Sequence, residues 1–283
     1  MSQSGWIWYQ NEFLPRQAVS ISPDDRGYYF GDGLYEVFRV YNGLLFEPSA
    51  HFDRLERTAK ALQIALPFSR SQMEARLQEL IGKNEVTNGT VYMQITRGEA
   101  ARSHPFPPYV EPVLMAHTSV SERPLDMMRR GITAVTADDI RWLRCDLKTL
   151  NLLPNILAKQ EALDRGADEV ILHRSGTVTE CSASNIMIVK NGVLRTHPAN
   201  HLILHGVTRL VVLRLARELG LPLLEEPFTL EALGQADEAF LTGTTVEVTP
   251  IIRIDGRPVG NGSPGPIVQQ LQTAFEAAIS ALA

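Results

Sequence analysis

The run Asp138-Asp-Ile-Arg-Trp-Leu-Arg-Cys-Asp-Leu-Lys148 mixes large apolar side chains with Arg141, Arg144 and Asp146. A lysine among apolar groups and other cations has its ammonium form disfavoured, which is the condition for a neutral amine nucleophile. Residue type alone favours the plainer alternative, a solvated loop lysine. Glu180 lies in the small-residue run Thr177-Val-Thr-Glu-Cys-Ser-Ala-Ser-Asn185. A carboxylate there can hold a proton on a ring nitrogen, or the run is a turn whose Ser and Asn side chains satisfy their own backbone. Gly206-Val207-Thr208-Arg209 opens a helix directly after an apolar strand, so free N–H groups and a hydroxyl face whatever sits above it, as an anion site requires. Thr242-Gly-Thr244-Thr supplies further small hydroxyl donors, and with Arg54 these groups make a candidate phosphate cup; each alone is weak, since threonines cap helices everywhere. Arg102-Ser-His104 can clamp a carboxylate by a forked guanidinium and an imidazole, or be an ordinary surface arginine and a satisfied histidine. Tyr35 follows the run Arg26-Gly-Tyr-Tyr-Phe-Gly-Asp-Gly-Leu, rich in Gly and Tyr, and faces either core or cleft.

The elements that must position these groups read as α+β. Strands are expected at Trp6 to Tyr9, at Phe13-Leu14 and from Leu34 to Tyr41, the last turning at the hairpin signal Asn42-Gly43. Ser49 is the expected cap of a helix with Phe52, Leu55, Ala59 and Leu62 on one stripe, and Ser69 with Gln72 has capping-box spacing for a second helix stopping at Gly82. Strands follow over Thr90 to Thr96 and Pro112 to Thr118. The polar stretch Ser119 to Arg130, with Pro124 and neither periodicity, is the expected domain boundary. This gives a small α/β domain over 1–120, a linker over 121–130 and a larger domain over 131–283. In the larger domain, helices are expected from Asn151 to Arg165, Val207 to Leu219 and Ile267 to Leu282. Strands are expected around Val170, Ile186, Val193, Leu223, Glu238 and Val248, with turns at Ser175-Gly176, Asn191-Gly192 and Asp255-Gly256.

A chain of 283 residues with 44% apolar and 21% charged residues is an ordinary globular protein of about two domains. Its 27 basic and 32 acidic residues leave a net charge of −5, which does not attract a polyanion, so nucleic acid is not an expected partner. Two cysteines, Cys145 and Cys181, cannot form a disulfide framework, and nothing resembles a metal-ligand cluster. The first ten residues lack the basic and apolar regions of a secretion signal, and no apolar run reaches the length of a membrane helix, so a cytoplasmic location and no membrane contact are expected.

Taken together, several segments resemble the class IV (fold-type IV) pyridoxal-phosphate aminotransferases, most closely the bacterial D-amino acid aminotransferases. They are Asp25-Arg-Gly-Tyr-Tyr-Phe-Gly-Asp-Gly-Leu-Tyr-Glu-Val, His51-Phe-Asp-Arg-Leu, Thr96-Arg-Gly with Arg102-Ser-His104, Ile140 to Lys148, Val178 to Asn185, Thr196-His-Pro-Ala-Asn200 and Gly206-Val-Thr-Arg. Their order and spacing match the family over nearly the whole chain. The resemblance implies a two-domain fold with pyridoxal 5'-phosphate at the domain interface and Lys148 as the Schiff-base lysine. It further implies Glu180 paired with the pyridine nitrogen, and Arg54, Val207, Thr208 and Thr244 on the phosphate. Tyr35 with Arg102 and His104, the pair reaching in from a neighbouring subunit, would then trap the substrate carboxylate, which implies a homodimer.

The implied activity moves the amino group of D-alanine- or D-glutamate-type substrates to a 2-oxo acid such as 2-oxoglutarate or pyruvate. Branched-chain L-amino acid, R-amine and aminodeoxychorismate lyase-like chemistries share the fold and stand as alternatives, and a phosphate- or nucleotide-binding protein without chemistry is a third reading. The chain departs from the family pattern at Met187, where an aromatic residue is usual, and at Ala183 and Gly243, where close D-enzymes have serines.

Overall fold

Alternation of side chains along Gly33–Tyr41 sends Leu34, Glu36, Phe38 and Val40 to one face, where all four are buried, and leaves Tyr35 and Val37 half-buried on the other. In the computed structural model, which describes residues 5–282, this strand belongs to one of two compact units. That unit runs to Glu122 and includes Leu147–Asn151; the second comprises Arg123–Asp146 and Leu152–Ala281.

The first unit holds strands β1 (Trp6–Tyr9), β2 (Glu12–Pro15), β3 (Gly33–Tyr41), β4 (Leu44–Leu45), β5 (Gly89–Thr96) and β6 (Val113–Val120). They form an antiparallel sheet in the order β2-β1-β6-β5-β3-β4. Helix α1 (Arg26–Phe30) starts on Asp25, whose carboxylate accepts the Gly27 N–H, and the longer helices α2 (Pro48–Leu62) and α3 (Arg70–Lys83) supply the core. Phe52, Leu55, Met73 and Leu77 from the two helices pack with Trp8, Phe38, Val91 and Leu114 from the sheet. At the hairpin, Asn42 and Gly43 both take positive φ, 51° and 77°, as a two-residue turn of the right twist demands.

Both longer helices of this unit differ at one end from the sequence expectation. Helix α2 begins at Pro48 after a left-handed Glu47, not on a Ser49 cap, because proline's missing N–H and fixed φ suit the first helical position. Helix α3 does carry the Ser69/Gln72 capping box, but it runs through Gly82 to Lys83.

The second unit contains α4 (Leu125–Arg130), β7 (Ile132–Asp138), α5 (Leu153–Asp164), β8 (Glu169–Arg174), β9 (Thr177–Cys181), β10 (Asn185–Lys190), β11 (Val193–Thr196), α6 (Val207–Glu218), β12 (Leu223–Glu225), α7 (Leu230–Gly234), β13 (Glu238–Gly243), β14 (Glu247–Ile254), β15 (Arg257–Pro258) and α8 (Pro266–Ser280). Its strands lie in the order β12-β11-β10-β13-β14-β7-β8-β9, with β15 on the edge of β14. The sheet is mixed: β14, β7 and β8 run parallel, as do β11 and β12, and the hairpins are antiparallel. Ala158 and Ala162 of α5 let that helix sit close on Val135, Val170 and Leu172. The stretch read as irregular, Ser119 to Arg130, instead completes β6 and forms α4, which Met128 anchors. Among the described residues no helix is long and apolar enough to cross a membrane.

Candidate active site

Lys148 is carried by a short segment that pairs with the edge of β3. Tyr35 N–H donates to the Lys148 carbonyl at 3.2 Å, Leu150 N–H donates to the Gly33 carbonyl at 3.1 Å, and Thr149 bridges Leu34. Backbone pairing of this kind fixes the lysine as firmly as a strand residue. Its Nζ stands 4.1 Å from the centroid of the Tyr35 ring, and that ring stacks on Tyr92 at 5.5 Å, with His117 stacked beyond at 5.3 Å. Burial pushes the Tyr92 hydroxyl up to about 12, so it remains a proton donor at any working pH.

On the opposite face of β3, Glu36 is a carboxylate inside the apolar core with no exposed surface. Burial alone would neutralise it, but Arg54 and His51, one helical turn apart on α2, face it together. Arg54 Nε and Nη2 donate to the two carboxylate oxygens at 2.7 Å each, and His51 Nδ1 lies 2.8 Å from Oε2. Their pull exceeds the desolvation and holds Glu36 well below the usual carboxylate range, while burial pushes His51 down. An ionised Glu36 requires the His51 proton on Nδ1.

In the second unit Glu180, next to last in β9, is buried and accepts from three donors. Arg141 Nη1 binds Oε1, while the Asn185 amide at 2.8 Å and the Leu204 N–H at 3.0 Å bind Oε2. Burial pushes this carboxyl up to about 7, against the pull of Arg141 and the Leu204 N–H. Arg141 is itself shared: its Nε and Nη2 donate to Asp139 at 2.8 Å each, and Asp139 also accepts from Arg174 and Thr179. Burial opposes ionisation of Asp139, but the Arg141 hydrogen bonds overcome it and hold its carboxyl below the ordinary range.

Helix α6 opens on Gly206 with no side-chain cap, so the first-turn N–H groups at buried Val207 and Thr208 are left for other partners. Gly206 is required by close approach: a Cβ there would stand 2.1 Å from Asn185 Oδ1. Asn185 in turn spans Glu180 and the Leu204 carbonyl, so one amide ties the carboxylate to the helix start. Thr244 lies half-buried in the turn after β13, beside Thr242. The Thr242 hydroxyl is buried without a hydrogen-bond partner among the described residues, next to Gly243. Burying an unpaired hydroxyl is costly, which marks this strand end as a place where polar ligand atoms are wanted.

Arg102 and His104 are exposed and gather around Phe30, with the Arg102 guanidinium 5.3 Å and the His104 ring 5.6 Å from its centroid. Residue-level reading missed four groups: Glu36 and Tyr92, and the roles of Arg141 and Asn185 around Glu180. A signal existed for one of them. His51 and Arg54 are spaced to share one helix face, and a charged pair on the buried face of a helix demands a carboxylate opposite, which Glu36 supplies.

Comparison with known proteins fits this geometry. The family model described as amino-transferase class IV matches residues 33–254. The D-alanine aminotransferase of Staphylococcus aureus (strain COL) is 46% identical over 271 residues, 95% of this chain and 96% of the relative, and that of Bacillus licheniformis is 43% identical over 273 residues, 96% of each. Among solved structures, the branched-chain amino acid aminotransferase of Escherichia coli superimposes with a TM-score of 0.92 at 26% identity, over 97% of this chain and 94% of that one. The branched-chain aminotransferase of the thermophilic archaeon Thermoproteus uzoniensis, solved with norvaline, gives 0.87 at 28%, over 98% and 95%. The α+β architecture expected from the sequence is thus the fold-type IV one, and matches to the family model over residues 33–254 and to a relative over 95% of the chain leave one assignment: this chain is a class IV aminotransferase.

Proposed function

We propose that this enzyme uses pyridoxal 5'-phosphate to transfer the amino group of D-amino acids of the alanine or glutamate type to 2-oxo acids such as 2-oxoglutarate or pyruvate. The observation that carries the substrate class is the 46% identity to a D-alanine aminotransferase over 95% of the chain, against 26% and 28% for the two branched-chain enzymes of the same fold.

The residues present suit the cofactor. Buried Glu180, pushed up to about 7, is matched to share a proton with a pyridine nitrogen, and Arg141, Asn185 and the Leu204 N–H hold it in one orientation. Val207, Thr208 and Thr244 supply N–H and hydroxyl donors for a phosphate, as the uncapped start of α6 requires. Arg54 adds positive charge, and Glu36 keeps its guanidinium fork in a set plane. The cofactor, when bound, supplies an aldehyde that captures the amine and a protonated ring that withdraws the electron pair left at the α-carbon. Lys148 would hold the cofactor through its amine, and Nζ would serve as the base and acid that moves a proton off and on the substrate α-carbon. Tyr35, Arg102 and His104 bind the substrate carboxylate, and so decide which enantiomer turns its hydrogen toward Nζ.

A second copy of this chain is the partner this reading requires. Leu153, Ile156 and Leu157, at i, i+3 and i+4 of α5, and Ile140, Trp142 and Leu143 stand 47–69% exposed. Large apolar side chains so exposed favour a protein contact. Cys145 and Cys181 are buried and free, in keeping with a reducing, cytoplasmic setting.

Purified enzyme should be yellow, and borohydride should fix the cofactor to a peptide containing Lys148. With D-alanine, L-leucine and an R-amine as donors, D-alanine should be preferred. A colourless protein that gains no absorbance with added cofactor, or one turning over L-leucine alone, refutes the reading. Light scattering should give a dimer mass, and a monomer removes the partner.

A further inference from the structure

The loop bearing Arg102 and His104 has no regular secondary structure of its own, yet three side chains of this chain hold it. Arg26, the first residue of α1 and 3% exposed, donates Nη1 to the Ser103 carbonyl at 2.5 Å and Nη2 to the His104 carbonyl at 3.3 Å. Its remaining Nε donates to Asp32 at 2.8 Å, so one guanidinium spends its fork on the loop and its third nitrogen on an anchor. Phe30, one turn along α1, packs against three groups: Arg26 at 4.9 Å, Arg102 at 5.3 Å and His104 at 5.6 Å. Asp32 is held from the other side by Arg97, whose Nε and Nη2 donate at 2.8 and 3.0 Å and whose guanidinium lies 3.6 Å from the Phe106 ring, further along the same loop.

We propose that Arg26 is a positioning residue for substrate specificity: by binding the Ser103 and His104 carbonyls it sets the backbone from which Arg102 and His104 present their charges to the substrate carboxylate, with Phe30 as the platform that orders their side chains. The inference rests on the carboxylate-binding role given to Arg102 and His104 above. The charge arithmetic makes Arg26 the removable member of its cluster. Arg26 and Arg97 share Asp32, so loss of Arg26 leaves a neutral Arg97–Asp32 pair, whereas loss of Asp32 would strand two buried cations. Phe30 is half-buried and lies outside the core cluster between helices and sheet.

The test compares wild type, Arg26→Gln, Arg26→Lys, Phe30→Leu and Arg102→Ala as cofactor-loaded enzymes, by KM and kcat for D-alanine and by hydrogen exchange of a peptide spanning residues 99–108. Misplacing binding groups by about an ångström costs up to roughly a hundredfold, so Arg26→Gln should raise KM about ten- to hundredfold and change kcat much less. Exchange in the peptide should quicken. Arg26→Lys, which keeps the charge but reaches one carbonyl, should recover part of the KM, and Phe30→Leu should raise KM with both carbonyl anchors in place. If Arg102→Ala raises KM while Arg26→Gln and Phe30→Leu leave it unchanged, the positioning role is overturned and the carboxylate role stands. If Arg102→Ala itself leaves KM unchanged, the carboxylate role has failed, and the inference falls with it. Should Arg26→Gln not fold, the KM of Phe30→Leu decides.

Discussion

Replacing Glu36 by glutamine tests the electrostatics beneath β3 most sharply. Glutamine has the same size but no charge, and whichever way its amide is turned, an NH2 group now opposes an N–H of Arg54 or His51 that previously met an oxygen. Three hydrogen bonds to a charge amount to several kcal/mol gross, and the carboxylate's own desolvation offsets part of it. Breaking a buried ion pair by removing one partner costs about 3–5 kcal/mol, because Arg54 is left charged and 4% exposed in an apolar surround. Glu79→Gln is the control: its carboxylate is 48% exposed and pairs with Arg76 at 3.4 Å and Lys83 at 3.8 Å, which contributes less than about 1 kcal/mol.

The pH dependence follows from the same groups. The Glu36 carboxyl sits below its ordinary 4.5 in the folded protein, so its contribution is complete above that value and is lost as pH falls further. His51, pushed below its ordinary 6.5, adds an acid loss that begins earlier, near neutrality. Urea unfolding of wild type, Glu36→Gln and Glu79→Gln at pH 7.5 should show a gap of about 3–5 kcal/mol for the first variant only, narrowing as the pH is brought below about 4. A loss for Glu36→Gln no larger than that of the control, or a gap that widens in acid, refutes the account.

Glu180 has the opposite sign. Its carboxyl is raised to about 7 from an ordinary 4.5, so the stability it contributes is full below 4.5 and declines as pH rises through 7; Glu180→Gln should abolish that slope in cofactor-free protein, measured as unfolding free energy between pH 4.5 and 8. Gly206→Ala keeps an unstrained backbone at φ −65° and ψ 134° but sets a methyl 2.1 Å from Asn185 Oδ1; displacing that amide should cost about 1–3 kcal/mol and weaken phosphate retention, read by equilibrium dialysis of the cofactor, and unchanged values would show that the contact gives way freely. Burial pushes the Cys145 thiol up to about 11 and Cys181 well above its ordinary value, so both should react slowly with iodoacetamide at pH 8 until the protein is unfolded; rapid labelling of native enzyme contradicts their burial.

Local physics made much of this fold legible before any coordinates. Asn42-Gly43 and Asn191-Gly192 turn hairpins because such pairs accept two positive φ angles, and the Ser69/Gln72 box starts α3 because those two side chains satisfy two of the helix's own orphan donors. The uncapped start at Gly206 was legible for the same reason, since every group involved lies within one turn of chain. The short helices α1, α4 and α7 were not, as five or six residues are too few to display a period.

What only the tertiary structure decided is which charges meet. Glu36 reads as one more residue of an alternating strand until α2 lays His51 and Arg54, 15 and 18 residues on, over it. Arg26 reaches carbonyls 77 and 78 residues away, and Glu180 gains Arg141 from 39 residues back and Leu204 from 24 residues ahead. Periodicity and turn chemistry are encoded over a few neighbouring residues, whereas a hydrogen bond between distant side chains exists only when whole sheets and helices have packed to within tenths of an ångström.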